Sequence, residues 1–317
     1  MSVASGNVVR VAAAVILRPD GHVLLAQRPA GKAYAGYWEF PGGKFEPGES
    51  PRAALDRELA EELGLAVRHA VPWLVRRFVY PHAHVELHFF RVLAWDGEPV
   101  GHDGQAFRWQ RPDQFTVAPL LPANTPILRA LVLPTRYGIT MAGDEGEEAF
   151  IPRVARALDR GLRLLQVREK DWPMPRQRAF AQRVAALAAP YGAKVLFNGS
   201  IDDARATGCA GVHWTAATLI GASARPEGLL CGASCHTRDE VAHAARLDLD
   251  FVVVGPVRPT PTHPGVVTLG WDGFALMARE ATLPVFALGG LGDDDLDTAM
   301  VHGAHGLALR RAAWPRD

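Results

Sequence analysis

Glu58, Glu61 and Glu62 stand at i, i+3 and i+4 within residues 43–65, GKFEPGESPRAALDRELAEELGL. On a helix these three carboxylates share one face within a turn of each other. Like charges that close repel unless a cation neutralises them. Hard oxygen donors suit Mg2+ or Mn2+, which take a few carboxylates and complete their shell with water and substrate phosphate. A trio of glutamates alone is more often a solvated helix face. Here it comes with Gly43, Glu49 after five residues, Arg57-Glu58 after seven more, and Gly64-Leu65 beyond, so the stretch reads G-x5-E-x7-R-E-U-x-E-E-x-G-U with U apolar. Gly42 and Gly43 let backbone approach a metal or phosphate closely. Glu49 and Arg57 read as an ion pair that holds the loop against the helix. The spacing leaves open which carboxylate is the base.

The elements that must position these groups are legible around them. Ser50-Pro51 is a helix start, a capping hydroxyl followed by a proline pre-set for the first turn, and Gly64 is placed to end the helix. Residues 8–17 and 22–27 are apolar, strand-like runs about Pro19-Asp20-Gly21 and read as a hairpin. Residues 73–80, 84–95 and 107–109 read as further strands, and 126–133 as a closing helix. A sheet between helices is the implied arrangement.

The 43–65 pattern holds every fixed position of the Nudix box, and the chain resembles Nudix hydrolases there. The stretch from Arg28 through WEFPGGK, together with Gly97-Glu98-Pro99, Asp103-Gly104-Gln105 and Pro122-Ala123-Asn124-Thr125-Pro126, resembles the MutT branch, the 8-oxo-dGTP diphosphatases. The resemblance implies water attack at the β-phosphorus of a nucleoside triphosphate, releasing a monophosphate and pyrophosphate. It also implies Mg2+, or Mn2+, on Glu58, Glu61 and Glu62, with Gly42 and Asp103 as further metal contacts. Arg28, Glu39 and Phe40 match the base pocket, and Asn124 matches the position whose amide reads the purine edge.

Length and composition suggest a second domain. At 317 residues, with 48% hydrophobic and 21% charged residues, the chain exceeds one small domain and has ample core. A formal net charge of zero argues against a duplex nucleic-acid binder, leaving a small-molecule nucleotide as the expected partner. Cys209, Cys231 and Cys235 are an odd number and read as buried, reduced thiols. With no apolar run behind a basic start and none approaching eighteen residues, no membrane contact and a cytoplasmic location are expected. Nothing in the sequence bears on oligomeric state.

The pattern breaks around Leu133-Pro134-Thr135-Arg136, giving expected domains 1–134 and 137–317. In the second, residues 137–140, 162–168, 194–198, 211–214, 230–235, 251–257, 285–289 and 306–309 are strand-like and alternate with helical stretches, which describes a compact (β/α)8 barrel. The expected fold class is therefore α/β, a Nudix α/β/α sandwich followed by a TIM barrel. LQVREK at 165–170, GVH at 211–213, ASCHT at 233–237, GPV at 255–257 and LGG at 288–290 resemble thiamine-phosphate synthase and its TenI-type relatives. That resemblance implies a second phosphorylated ligand. Gln166, Arg168 and Lys170 would meet a pyrimidine diphosphate, Thr260, Thr262 and Gly290 a thiazole phosphate, and Asn198 and Ser234 would lie beside them. The chain departs from that family where its metal-binding aspartates are expected, carrying Gly199 and Thr218, and it has Arg310-Arg311 after the last strand. The barrel could therefore bind a phosphorylated ligand, isomerise a thiazole or act as a scaffold. A working barrel beside a Nudix unit that acts on thiamine-type diphosphates is the alternative reading of the whole chain.

Overall fold

In the computed structural model the chain forms two compact units, residues 1–132 and 133–317. The structure describes residues 8–81, 83–101, 105–260, 265–279 and 281–315.

Among the described residues the first unit contains seven strands: β1 (Val9–Ile16), β2 (Val23–Gln27), β3 (Trp38–Glu39), β4 (Gly42–Lys44), β5 (Ala66–Tyr80), β6 (Ala83–Asp96) and β7 (Phe107–Gln110). Its helices are α1 (Pro51–Leu63) and α2 (Thr125–Leu131). One sheet runs β4-β1-β6-β5 and a smaller one β3-β2-β7. The hairpin expected of residues 8–17 and 22–27 is a correction. The turn forms, with Arg18 N–H on His22 O at 2.9 Å, but only a Leu17–Val23 bridge joins the strands before they part into separate sheets. β1 is instead engaged by β6 in parallel and β4 in antiparallel pairing.

Alternation along β1 explains the layering. Ala12, Ala14 and Ile16 pack with Leu55, Leu59 and Leu63 of α1, whereas Ala13 and Val15 pack with Ile127 and Leu128 of α2. Small alanines on β1 let α1 lie close. Leu55, Leu59 and Leu63 are fully buried there, each stabilising by about 1.5–3 kcal/mol. Ser50 caps α1 by accepting from Ala53 N–H, and Gly64 closes it at φ +67°. β5 begins seven residues earlier than the expected strand, because Pro72 falls on an edge strand with bulges about it, where a missing N–H is tolerated.

The second unit is a closed barrel of eight parallel strands: β8 (Arg136–Ile139), β9 (Leu164–Val167), β10 (Lys194–Phe197), β11 (Gly211–Trp214), β12 (Leu230–Cys235), β13 (Phe251–Val254), β14 (Val285–Leu288) and β15 (Gly306–Leu309). Inward positions fill the barrel with Tyr137, Ile139, Leu164, Leu196, Phe251, Val253, Phe286 and Ala308. Intervening positions such as Leu165, Val167, Val195 and Phe197 face the helices. The three cysteines are buried free thiols. No helix among the described residues is long and apolar enough to cross a membrane.

Candidate functional site

In the first unit α1 carries the glutamates toward the β4 loop. Arg57 reaches back to that loop, with Nε on Glu49 Oε1 and Nη2 on Glu49 Oε2, both at 3.0 Å, and Nη2 on Lys44 O at 2.9 Å. Its Nη1 also bonds Glu58 at 2.9 Å and Glu61 at 3.1 Å. Arg57 is thus the hub that makes the crowding of Glu49, Glu58 and Glu61 tolerable. Its hydrogen bond holds the Glu49 carboxyl below its usual range.

Glu62 is compensated differently. Its hydrogen bond among the described residues is a long one, 3.4 Å, from Gly42 N–H. Burial pushes its pKa up to about 7 and neighbouring Glu58 and Glu39 push the same way, against the Gly42 N–H. The three glutamates therefore point apart, Glu58 and Glu61 toward Arg57 and Glu62 toward Gly42. Among the described residues they do not form a closed metal shell.

The donor set nevertheless fits a hard divalent cation. Carboxylates beside a glycine backbone are the ligands Mg2+ or Mn2+ takes alongside water and phosphate. Gly43 marks the fit most directly: a Cβ there would lie 2.0–2.2 Å from the Glu58 carboxylate. Only glycine leaves room for that carboxylate over the loop.

Beyond the acidic face, the end of β3 brings together the residues expected to meet a base. Arg28 Nη1 bonds both carboxylate oxygens of Glu39, at 2.6 and 2.7 Å, and Arg28 Nε bonds Ala33 O. Burial raises the Glu39 pKa against the pull of Arg28. Asn124 ends the turn before α2, is 4% exposed, and its Nδ2 lacks a hydrogen-bond partner among the described residues. A buried amide donor left open is costly unless something else fills its valence. Phe40 is packed into the core edge-on to Phe89 at 5.8 Å. Asp103 lies outside the described residues.

Sequence reasoning missed the aromatic wall beside these groups. Tyr34 lies 5.3 Å from both Tyr37 and Tyr80, and Tyr80 packs on Phe78 at 4.6 Å. The Tyr80 hydroxyl bonds the Ala123 backbone, one residue before Asn124, and senses the charges of Glu39 and Arg28. Nothing local flags this cluster, since its members come from a loop and a strand about 45 residues apart.

In the second unit the carboxyl ends of the strands gather Gln166, Arg168, Asn198 and Ser234. Gln166 is 1% exposed and its Nε2 has no hydrogen-bond partner among the described residues. Asn198 Nδ2 donates to His213 O at 3.1 Å. Lys170 is exposed on the loop after β9, and Thr260 ends the described part of the loop after β13. Gly290 sits at φ +65° against Pro259 and Arg258, while Thr262 lies outside the described residues. A further chain was not foreseen: Tyr137 Oη to His213 Nδ1 at 3.1 Å, and His213 Nε2 to Ser234 Oγ at 3.0 Å. A histidine inside the apolar strand GVHW was the available signal.

Known proteins divide along the same line. Residues 136–313 match the thiamine monophosphate synthase family, and residues 12–130 match the NUDIX domain family. A putative thiamine-phosphate synthase of Geobacter sulfurreducens is 37% identical over 177 residues, 55% of this chain and 83% of that protein. A CTP pyrophosphohydrolase of Escherichia coli is 42% identical over 132 residues, 40% of this chain and 93% of that protein. An 8-oxo-dGTP diphosphatase of Haemophilus influenzae is 36% identical over 126 residues, again 40% of this chain and 93% of that protein. The chain therefore belongs to the Nudix hydrolase family through its first unit and to the thiamine monophosphate synthase family through its barrel.

Proposed function

We propose that the first unit hydrolyses oxidised purine nucleoside triphosphates, 8-oxo-dGTP foremost, to the monophosphate and pyrophosphate, so removing a mutagenic precursor from the nucleotide pool. The observation that carries the base assignment is the buried Asn124 Nδ2, without a hydrogen-bond partner among the described residues and one residue after the Ala123 backbone that the Tyr80 hydroxyl bonds. An amide donates and accepts at once, and an oxidised purine offers a carbonyl oxygen beside a ring N–H that plain guanine lacks. The 8-oxo-dGTP diphosphatase relative supports the same substrate.

Mg2+, or Mn2+, would be held by Glu58, Glu61, Glu62 and the Gly42 backbone, supplying positive charge to the phosphates and acidifying a water. The chain's own groups do the rest. Arg57, fixed to Glu49 and Lys44 O, holds the β4 loop and Glu58 in register. Glu62, buried beside the Gly42 N–H, is a carboxylate whose charge calls for a cation, which on binding would hold it ionised. Asn124 and Arg28 orient the base so that the phosphates meet the acidic face.

A second reading is favoured by the CTP pyrophosphohydrolase relative, which makes CTP a competing substrate. Pyrophosphate release from 8-oxo-dGTP by Glu58→Gln and Glu62→Gln tests the acidic face. Both are expected to lose at least about a hundredfold in kcat while melting within a few degrees of wild type. Wild-type turnover in both variants would refute the assignment.

A further inference from the structure

The loop between β2 and β3, residues 28–37, is held shut by one arginine. Arg28 N–H donates to Tyr37 O at 2.8 Å, and its carbonyl accepts from Gly36 N–H at 2.9 Å. Its side chain crosses the same loop, with Nε on Ala33 O at 2.7 Å while Nη1 spans the Glu39 carboxylate. Gln27 Nε2 adds a bond to Gly36 O at 2.9 Å, and Tyr37 N–H closes a turn on Tyr34 O at 3.1 Å. The guanidinium thus fixes Ala33, the residue just before Tyr34.

Tyr34 is the exception within this loop. Three of its residues have left-handed backbone, Gly31 at φ +87°, Tyr34 at +58° and Gly36 at +83°. Glycine fills two of them without strain. A bulky side chain at the third is unfavourable and persists only where its surroundings over-determine it. Elsewhere among the described residues a positive φ outside glycine occurs at Asp248, a residue type that tolerates it. What holds Tyr34 is its ring. It meets Tyr37 nearly edge-on and Tyr80 at a 56° tilt, both with centroids 5.3 Å apart, and it packs on the cluster of Leu121 and Ala123 that leads into Asn124. Tyr34 remains partly exposed.

The loop also reaches toward the acidic face. Burial raises the pKa of Glu39 and of Glu62, and Lys32, two residues before Tyr34, pulls against it on both. One short segment therefore connects the residues that lead into Asn124 with the carboxylates expected to hold the metal.

We propose that Tyr34 is a specificity-determining residue of the first unit, its ring forming with Tyr80 the wall against which the nucleobase stacks, and that Arg28 acts on the base through this ring as a positioning residue. The proposal rests on reading the first unit as a nucleoside triphosphate hydrolase, not on the choice between 8-oxo-dGTP and CTP. Stacking needs only a π-face, so every base gains from it, and a bicyclic purine covers more of the ring than cytosine does. The wall favours purines by area, where Asn124 acts by hydrogen bonds.

The test is steady-state hydrolysis by the full chain with Mg2+, for 8-oxo-dGTP, dGTP and CTP, with inorganic tripolyphosphate as a competitive inhibitor that has no base. Tyr34→Gly suits the left-handed backbone and removes the ring. It should raise KM about tenfold for both purines and about threefold for CTP, with kcat within about twofold and the tripolyphosphate Ki unchanged. Tyr34→Leu, which keeps apolar bulk, should show the same pattern, and Tyr34→Phe should restore the wild-type KM. In an Arg28→Gln background, Tyr34→Gly should add less than about twofold, because the ring is already released. An unchanged nucleotide KM in Tyr34→Gly, full rescue by leucine, or an equal loss against tripolyphosphate would overturn the stacking wall. Losses that multiply in the double variant would overturn the clamp. A wild type that prefers CTP refutes the oxidised-purine reading alone, since the comparison of Tyr34 variants against tripolyphosphate decides the wall for any base.

Discussion

The adjacent glycines of the β4 loop should fail in opposite ways when exchanged for alanine. At Gly43 the new Cβ would lie 2.0–2.2 Å from the Glu58 carboxylate, the far end of a flexible side chain. That carboxylate must retreat by about 1.5 Å to reach ordinary contact. The fold loses little, about 1 kcal/mol or less, because a rotamer change absorbs the clash. Catalysis loses much, since misplacing a group by about 1 Å costs on the order of a hundredfold. At Gly42 the new Cβ would meet the Ala12 carbonyl oxygen of β1 at 2.0 Å, with φ at +141°. Neither backbone can move without opening the β1–β4 pairing at Ala13–Gly42, so at least about 3 kcal/mol of stability should go. Thermal unfolding of each variant, read beside pyrophosphate release per folded molecule, separates the two. A Gly43→Ala protein with full turnover, or one that melts as early as Gly42→Ala, would refute the placement of Glu58 over the loop.

Asn124→Ala should cut the preference for 8-oxo-dGTP over dGTP by roughly 10–100-fold with little change in turnover of dGTP, and an unchanged ratio would return Asn124 to a structural role. Barrel stability should fall on mild acidification. Burial first, and Arg168 second, lower the His213 pKa from 6.5 to about 3, so its stabilising contribution is complete above pH 6.5 and is lost as pH falls below that value. By pH 5 the loss is about 2 kcal/mol, and His213→Gln should remove that part of the slope in urea titrations of the barrel transition. A slope unchanged in the variant would show that His213 is not the responsible group.

Local spacing made α1 and its glutamates readable, because helix geometry converts i, i+3 and i+4 directly into a shared face. The barrel strands were readable for a similar reason, as short apolar runs such as FVVV and GLAL recur between helical stretches. What escaped depends on pairing between distant strands. β1 and β2 are neighbours in sequence, yet β1 aligns with β6, over seventy residues later, and no turn residue announces that. The Tyr137–His213–Ser234 chain requires side chains from β8, β11 and β12 to point into one barrel, which only closure determines. The resemblance pointed to Asn124 as the expected base reader. Its unfilled donor, and the tyrosines beside it, were not legible.

The most direct measurement is kcat/KM of the full chain, with Mg2+, for 8-oxo-dGTP, dGTP, CTP and thiamine diphosphate side by side. 8-oxo-dGTP should rank first by at least about tenfold, with pyrophosphate as the product. A higher value for CTP or thiamine diphosphate would contradict the reading of the Asn124 pocket as a site for oxidised purines.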